Sequence, residues 1–106
     1  MEDYTFSESR YITRGIANDL PAVLIMYLWQ LIDERVGDKN LQMDYLQVFD
    51  LVPKYKDEEP YFSITHRQEV PPYKREHLLK NFVGIKGKVY VIDDIDYVTM
   101  MWADEY

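Results

Sequence analysis

"YFSITHRQEVPPYKREHLLKNF" spans residues 61–82, and the fold turns on how this stretch divides. In 61–70, Phe62, Ile64, His66 and Gln68 fall on one side. Ser63, Thr65, Arg67 and Glu69 fall on the other. A period of two with half the positions polar is the mark of a half-buried strand. Pro71-Pro72 stops it, because proline cannot donate to a sheet ladder. Past the prolines, "YKREHLLKNF" (73–82) is expected to form a short amphipathic helix with Leu78 and Leu79 turned inward.

Working toward the N-terminus, "KYKDEE" (54–59) reads as a solvated, charged loop. Before it, "YLQVFDLV" (45–52) is rich in β-formers and is ended by Pro53. Leu46, Val48 and Val52 share one face of that strand, and Tyr45, Gln47, Phe49 and Leu51 share the other. "DKNLQMD" (38–44) is a polar connection. Asn18-Asp19-Leu20-Pro21 combines capping side chains with a first-turn proline, which announces a helix. That helix should run over 21–36 and stop at Gly37. Leu24, Leu28, Leu31, Ile32 and Val36 make its stripe, but Val23, Met26, Tyr27 and Trp29 make other faces apolar too. Such a helix is expected to be covered on more than one side, by strands or by a second copy of the chain. "RYITRGIA" (10–17) reads as a short strand ended by Gly15, and residues 1–9 as a frayed terminus.

Toward the C-terminus, Gly84 and Gly87 flank a turn. "KVYVIDD" (88–94) is apolar on both faces and belongs in the middle of a sheet. Asp93, Asp94 and Asp96 make a tight acidic turn into "YVTMMWA" (97–103), giving a hairpin. The order is β-α-β-β-α-β-β. The expected architecture is a single two-layer α+β domain over 10–106: a mostly antiparallel sheet of about five strands, with one long and one short helix on one face.

The 106 residues suit one domain, and 47% hydrophobic residues with ten tyrosines supply a core. A formal charge of −7 disfavours nucleic acid and anionic membranes as direct partners and favours solubility. With no cysteine, disulfides, thiolate metal sites and cysteine nucleophiles are excluded, and a cytoplasmic location is expected. The acidic opening MEDYTFSESR is not a signal peptide. "LPAVLIMYLWQLI" (20–32) is too short to span a bilayer.

Candidates for chemistry are few. His66-x-x-Glu69 has half of a zinc spacing, but on a strand those two side chains point to opposite faces. A half-buried, hydrogen-bonded His66 is the better reading. His77, beside Glu76, could meet His66 only if the Pro71-Pro72 turn folded the next element back over the strand. A small metal-dependent hydrolase using His66 and His77 is the alternative that this would allow. Ser63 and His66 sit on opposite strand faces, and no nucleophile elbow or phosphate-cradling glycine motif occurs. Asp93, Asp94 and Asp96 lack the loop spacing of a calcium site and read as an Asx-stabilised turn.

Charge is segregated along the chain. Lys74 to Lys88 holds five bases and one acid, and Asp93 to Tyr106 holds five acids and no base. An acidic strip of that kind raises a second alternative, an inhibitor that imitates DNA and occupies a nucleic-acid-binding protein.

"RYITRGI", "LWQLIDE", "DYLQVFDL", "ITHRQEVPPYK" and "KVYVIDDIDYVTMMWADEY", in that order, resemble the domain of unknown function 960 family. The resemblance covers roughly Arg10 to Tyr106. It implies a small single-domain cytoplasmic protein of Gram-positive bacteria, in some cases carried on phages and other mobile elements. It brings no catalytic residue, cofactor or ligand. The expectation is therefore a non-enzymatic accessory or regulatory protein without cofactor or metal. It would act on an unidentified protein partner, with a homodimer through the 21–36 helix as the expected self-association. The expected interaction surface combines His66, Arg67, Gln68 and Glu69 with Asp93, Asp94, Asp96, Asp104 and Glu105.

Overall fold

The computed structural model describes residues 4–106. Along the chain come β1 (Ser9–Ile12), α1 (Arg14–Asp19), α2 (Ala22–Val36), β2 (Leu46–Lys56), β3 (Glu59–Gln68), β4 (Tyr73–Lys80), β5 (Gly87–Asp93) and β6 (Tyr97–Trp102). A 3-10 turn, Ala103–Glu105, closes the chain. The strands form one sheet in the order β1-β6-β5-β2-β3-β4. β1 runs parallel to β6, and every other pair is antiparallel.

The expected α+β class holds, but with six strands rather than five and a different order of elements. Four local differences account for this. Residues 10–17 divide into β1 and a helix: Thr13 Oγ1 accepts the N–H of Ile16 and caps α1, which buries Ile16. The short helix is therefore α1, and the stretch 73–82 is not helical. Tyr73–Lys80 is an edge strand along β3, with Ser63 opposite Leu78 and Ile64 opposite His77. The unpaired edge of β3 offered this segment a ladder, and tertiary pairing overrode its helix-forming side chains. Only Leu79 of the two leucines turns toward the helices; Leu78 stays exposed.

The other two differences concern where the chain turns or frays. β2 continues through Pro53 to Lys56. β5 pairs with β2 only as far as Leu51, so beyond that point β2 has a free side where a missing N–H costs nothing. The expected charged loop shrinks to the two-residue turn Asp57-Glu58, both at positive φ (53° and 67°), between Lys56 and its partner Glu59. Of the expected frayed terminus, residues 1–3 lie outside the described residues. Residues 4–9 are not frayed: Phe6 is fully buried and Tyr4 packs on the core.

The bounds of α2 came close, from just after Pro21 to Gly37, but Asn18 and Asp19 end α1 instead of capping α2, whose N-cap is Pro21 itself. Leu24, Leu28, Leu31 and Ile32 pack on Phe49, Leu51, Phe62, Ile64, Val89, Val91, Val98 and Met100. The helices thus cover one face of the sheet and leave the other uncovered. Tyr27 and Trp29 are partly buried on that core, so α2 satisfies most of its apolar surface within its own chain. Val23 and Met26 remain exposed on it.

Candidate functional site

β3 alternates as its sequence demands, and Phe62, Ile64, His66 and Gln68 all face the helices and are buried. His66 stacks on Phe49 with ring centroids 4.4 Å apart and meets Tyr73 edge-on at 5.7 Å. Its Nε2 lies 2.8 Å from Gln47 Oε1. The Gln47 amide nitrogen donates to Asp44 O and to Gln68 Oε1, so Gln47 Oε1 is the acceptor and His66 carries its proton on Nε2. Gln68 extends the chain of contacts: it accepts Asp44 N–H and donates to the carbonyls of Gln42 and Pro71. This buried relay ties β2 and β3 to the loops at their shared end. Burial, with His77 and Arg35 adding to it, pulls the His66 pKa down to about 3, so the ring is neutral at physiological pH.

The expected interaction surface does not assemble. His66 and Gln68 are interior, which corrects their assignment to an exposed patch. Arg67 points to the uncovered sheet face and pairs with Asp50 at 2.7 Å. Glu69 is exposed in the turn that follows. Asp93 is also buried, and its carboxylate accepts the N–H groups of Phe6 and Ile95. Asp94 Oδ1 accepts from Asp96 and Tyr97, the Asx turn expected there. Asp96 is exposed. Asp104 and Glu105 follow Trp102, whose partner Val89 lies near the opposite end of β5 from Asp93. Glu105 Oε1 accepts from Trp102 N–H and Thr13 Oγ1, so it braces the C-terminal turn against α1.

The two histidines do come near each other. His77 is the partner of Ile64, so it shares the helix-side face with His66 on the adjacent strand. Its ring, however, meets Tyr27, and Glu76 projects to the other face, where Ser63 donates to it at 2.5 Å. Burial also lowers the His77 pKa. Among the described residues no group of three or more His, Asp or Glu is placed to hold a metal ion.

A different constellation appears on the uncovered face, assembled from four strands. Cross-strand register carries Lys54 and Lys56 of β2, Arg67 of β3, Lys74 and Lys80 of β4, and Lys88 of β5 to that side. The acids that join them from the strands are Asp50, Glu59 and Glu76. Six of the chain's twelve bases thus share a face with three of its nineteen acids. Tyr11 and Tyr97 are exposed on the same face with rings 5.9 Å apart, and Tyr90 lies between Met101 and Val48 in one cross-strand row. The run of bases from Lys74 to Lys88 was the available signal. Its meaning depended on strands that only pairing could place side by side.

The model of the DUF960 family, described as a staphylococcal protein of unknown function, matches residues 9–105. A crystal structure of a protein of unknown function from Enterococcus faecalis is similar at a TM-score of 0.71. The match covers 100% of this chain and 97% of that one at 22% identity, a likeness of fold. No curated protein matches the chain. Among the described residues no helix is long and apolar enough to cross a membrane.

Proposed function

We infer that this chain, which belongs to the DUF960 family, acts without chemistry of its own, by contact with an acidic surface of another protein. The observation that carries this reading is the sign of the uncovered sheet face. In a chain of net charge −7, the strands of that face turn six bases and three acids to it, and the exposed Tyr11 and Tyr97 lie across the sheet on β1 and β6, beside Asp94. Aromatic and cationic side chains on one surface favour protein recognition, and complementary charge speeds encounter with an acidic partner. The reactive side chains support the same reading. His66 is enclosed in the core with its Nε2 bonded to Gln47, Asp93 is spent on internal hydrogen bonds, and Ser63 faces away from His66. The acidic turn offers little to a DNA-binding protein, because Asp93 is interior and Asp94 caps its own turn.

The test is capture from a lysate of the source bacterium on three forms of the purified chain: wild type, K54E/K56E/K88E and D94N/D96N. All three forms should show the same circular dichroism. A partner should be retained by wild type and by D94N/D96N, released as salt rises, and lost from K54E/K56E/K88E. A partner held equally by all three forms, or a single-stranded oligonucleotide held by the basic face in its place, would overturn the reading.

A further inference from the structure

We propose that the free edge of β4, with the groove between it and α2, takes up an extended acidic segment of a partner protein as a seventh strand. The inference rests on the protein-contact reading and adds the form the partner takes.

β4 is the last strand of the sheet, with eight residues, and its outer N–H and C=O groups have no strand beside them. Such an edge is a template for another chain. Beside it lies a groove of about 320 Å3, lined by Val23, Leu24 and Tyr27 of α2 and by Leu78, Leu79, Lys80 and Phe82. Of these, Val23 is 66% exposed and Leu78 55%. Apolar surface is therefore available beside open main-chain hydrogen bonds.

The charges on this edge specify the occupant. Lys74 and Lys80 point to the uncovered face and Arg75 to the helix side, and none of the three makes an ion pair among the described residues. The one acid of β4, Glu76, is engaged by Ser63 at 2.5 Å and by Lys54 at 3.9 Å. A strand added here continues both faces of the sheet, because side chains alternate with a period of two. Its side chains toward α2 meet the groove, and those on the opposite side meet Lys74 and Lys80. The fitting segment alternates apolar residues with carboxylates.

A second copy of the chain fits less well. In the antiparallel register centred on His77, Lys74 faces the partner copy's Lys80, and in the register centred on Glu76 that carboxylate faces itself. Like charges directly opposite weaken a strand pair. Lysines also guard sheet edges against aggregation, and a guard without a guest would bind no segment of any pattern.

The probe is a capped octapeptide alternating valine and glutamate, labelled for fluorescence anisotropy, with a valine–lysine counterpart as control. The valine–glutamate peptide should bind and slow hydrogen exchange in residues 73–80, and the valine–lysine peptide should not bind. K74E/K80E should reverse that preference. Val23→Asp, an exposed position outside the sheet, should weaken binding tenfold or more without lowering the melting temperature. In a strand, valine and glutamate N–H groups point to opposite edges. N-methylation of one set should therefore abolish binding while methylation of the other set spares it.

Binding that survives both methylations, indifference to the peptide's charge, or no binding of either peptide would overturn the proposal. So would sedimentation showing a dimer that V23D dissolves, since the edge would then serve self-association. If the peptides fail while the lysate partner still depends on Lys54, Lys56 and Lys88, strand addition alone is wrong. If that dependence is also missing, the protein-contact reading falls with it.

Discussion

Asp93 Oδ2 accepts the backbone N–H of Phe6 at 3.0 Å, and so joins the start of the described chain to the β5–β6 turn across 87 positions. The second oxygen, Oδ1, accepts the N–H of Ile95 at 2.9 Å. One carboxylate at the sheet's end therefore holds both the hairpin turn and the segment that buries Phe6. An aspartate that reads as part of an acidic surface is a structural clasp.

Because both oxygens accept, asparagine at position 93 cannot replace aspartate: it has one acceptor oxygen and turns an N–H toward the other donor. Asp93→Asn should cost about 1–3 kcal/mol, the penalty for leaving a buried donor unpaired. The peptide N–H of Phe6 should also lose its protection from hydrogen exchange. Asp96→Asn, at an exposed position of the same turn, should leave both unchanged.

His66 gives the fold a definite response to acid. Its pKa is about 3 when folded and 6.5 when unfolded, because burial penalises the imidazolium. The unfolded chain therefore binds more protons between those values. The contribution is complete above about pH 6.5 and drains away as pH falls toward 3, at up to about 1.4 kcal/mol per pH unit. Urea titrations of the wild type and of His66→Gln should show a stability gap that narrows steadily from pH 7 to pH 4. A constant gap would mean that His66 is not held neutral.

The β2–β3 turn leaves room for improvement. Asp57 and Glu58 both sit at positive φ, where residues bearing a Cβ are strained and asparagine-glycine is favoured. D57N/E58G should raise stability by about 1 kcal/mol, read as a higher melting temperature. The side chains are exposed, so no core contact changes.

Gly84 and Gly87 both lie against rings, but the two rings differ in freedom. A Cβ at Gly84 would meet Phe62 Cε1 at 2.5 Å, and one at Gly87 would meet Trp102 Cζ3 at 2.5 Å. Phe62 is locked in the core, whereas Trp102 is only partly buried. Neither glycine has a positive φ, so the difference is steric alone. Gly84→Ala should cost about 1–3 kcal/mol, as overpacking does, and Gly87→Ala distinctly less. Thermal melts of the two single variants decide the order.

Local chemistry alone placed a good part of this molecule. Pro21 and Gly37 bracket α2. The alternation of Phe62, Ile64, His66 and Gln68 gives β3 its buried face, and the aspartates of 93–96 give the last hairpin its turn. These features depend on residues within a few positions of one another, so the chain displays them directly. The same alternation sets Ser63 and His66 on opposite faces.

Pairing and burial decided the rest. "YKREHLLK" becomes a strand because β3 has an edge to satisfy, and its helical propensity is worth less than a ladder. Phe6 is ordered because a carboxylate 87 positions away receives its N–H. The basic face exists only because register sets β2, β3, β4 and β5 side by side and turns Lys54, Arg67, Lys74 and Lys88 to one side. A sequence carries each residue's preference for a local shape. Which distant residues become neighbours, and so where charge accumulates, is fixed by which strand edges close on each other.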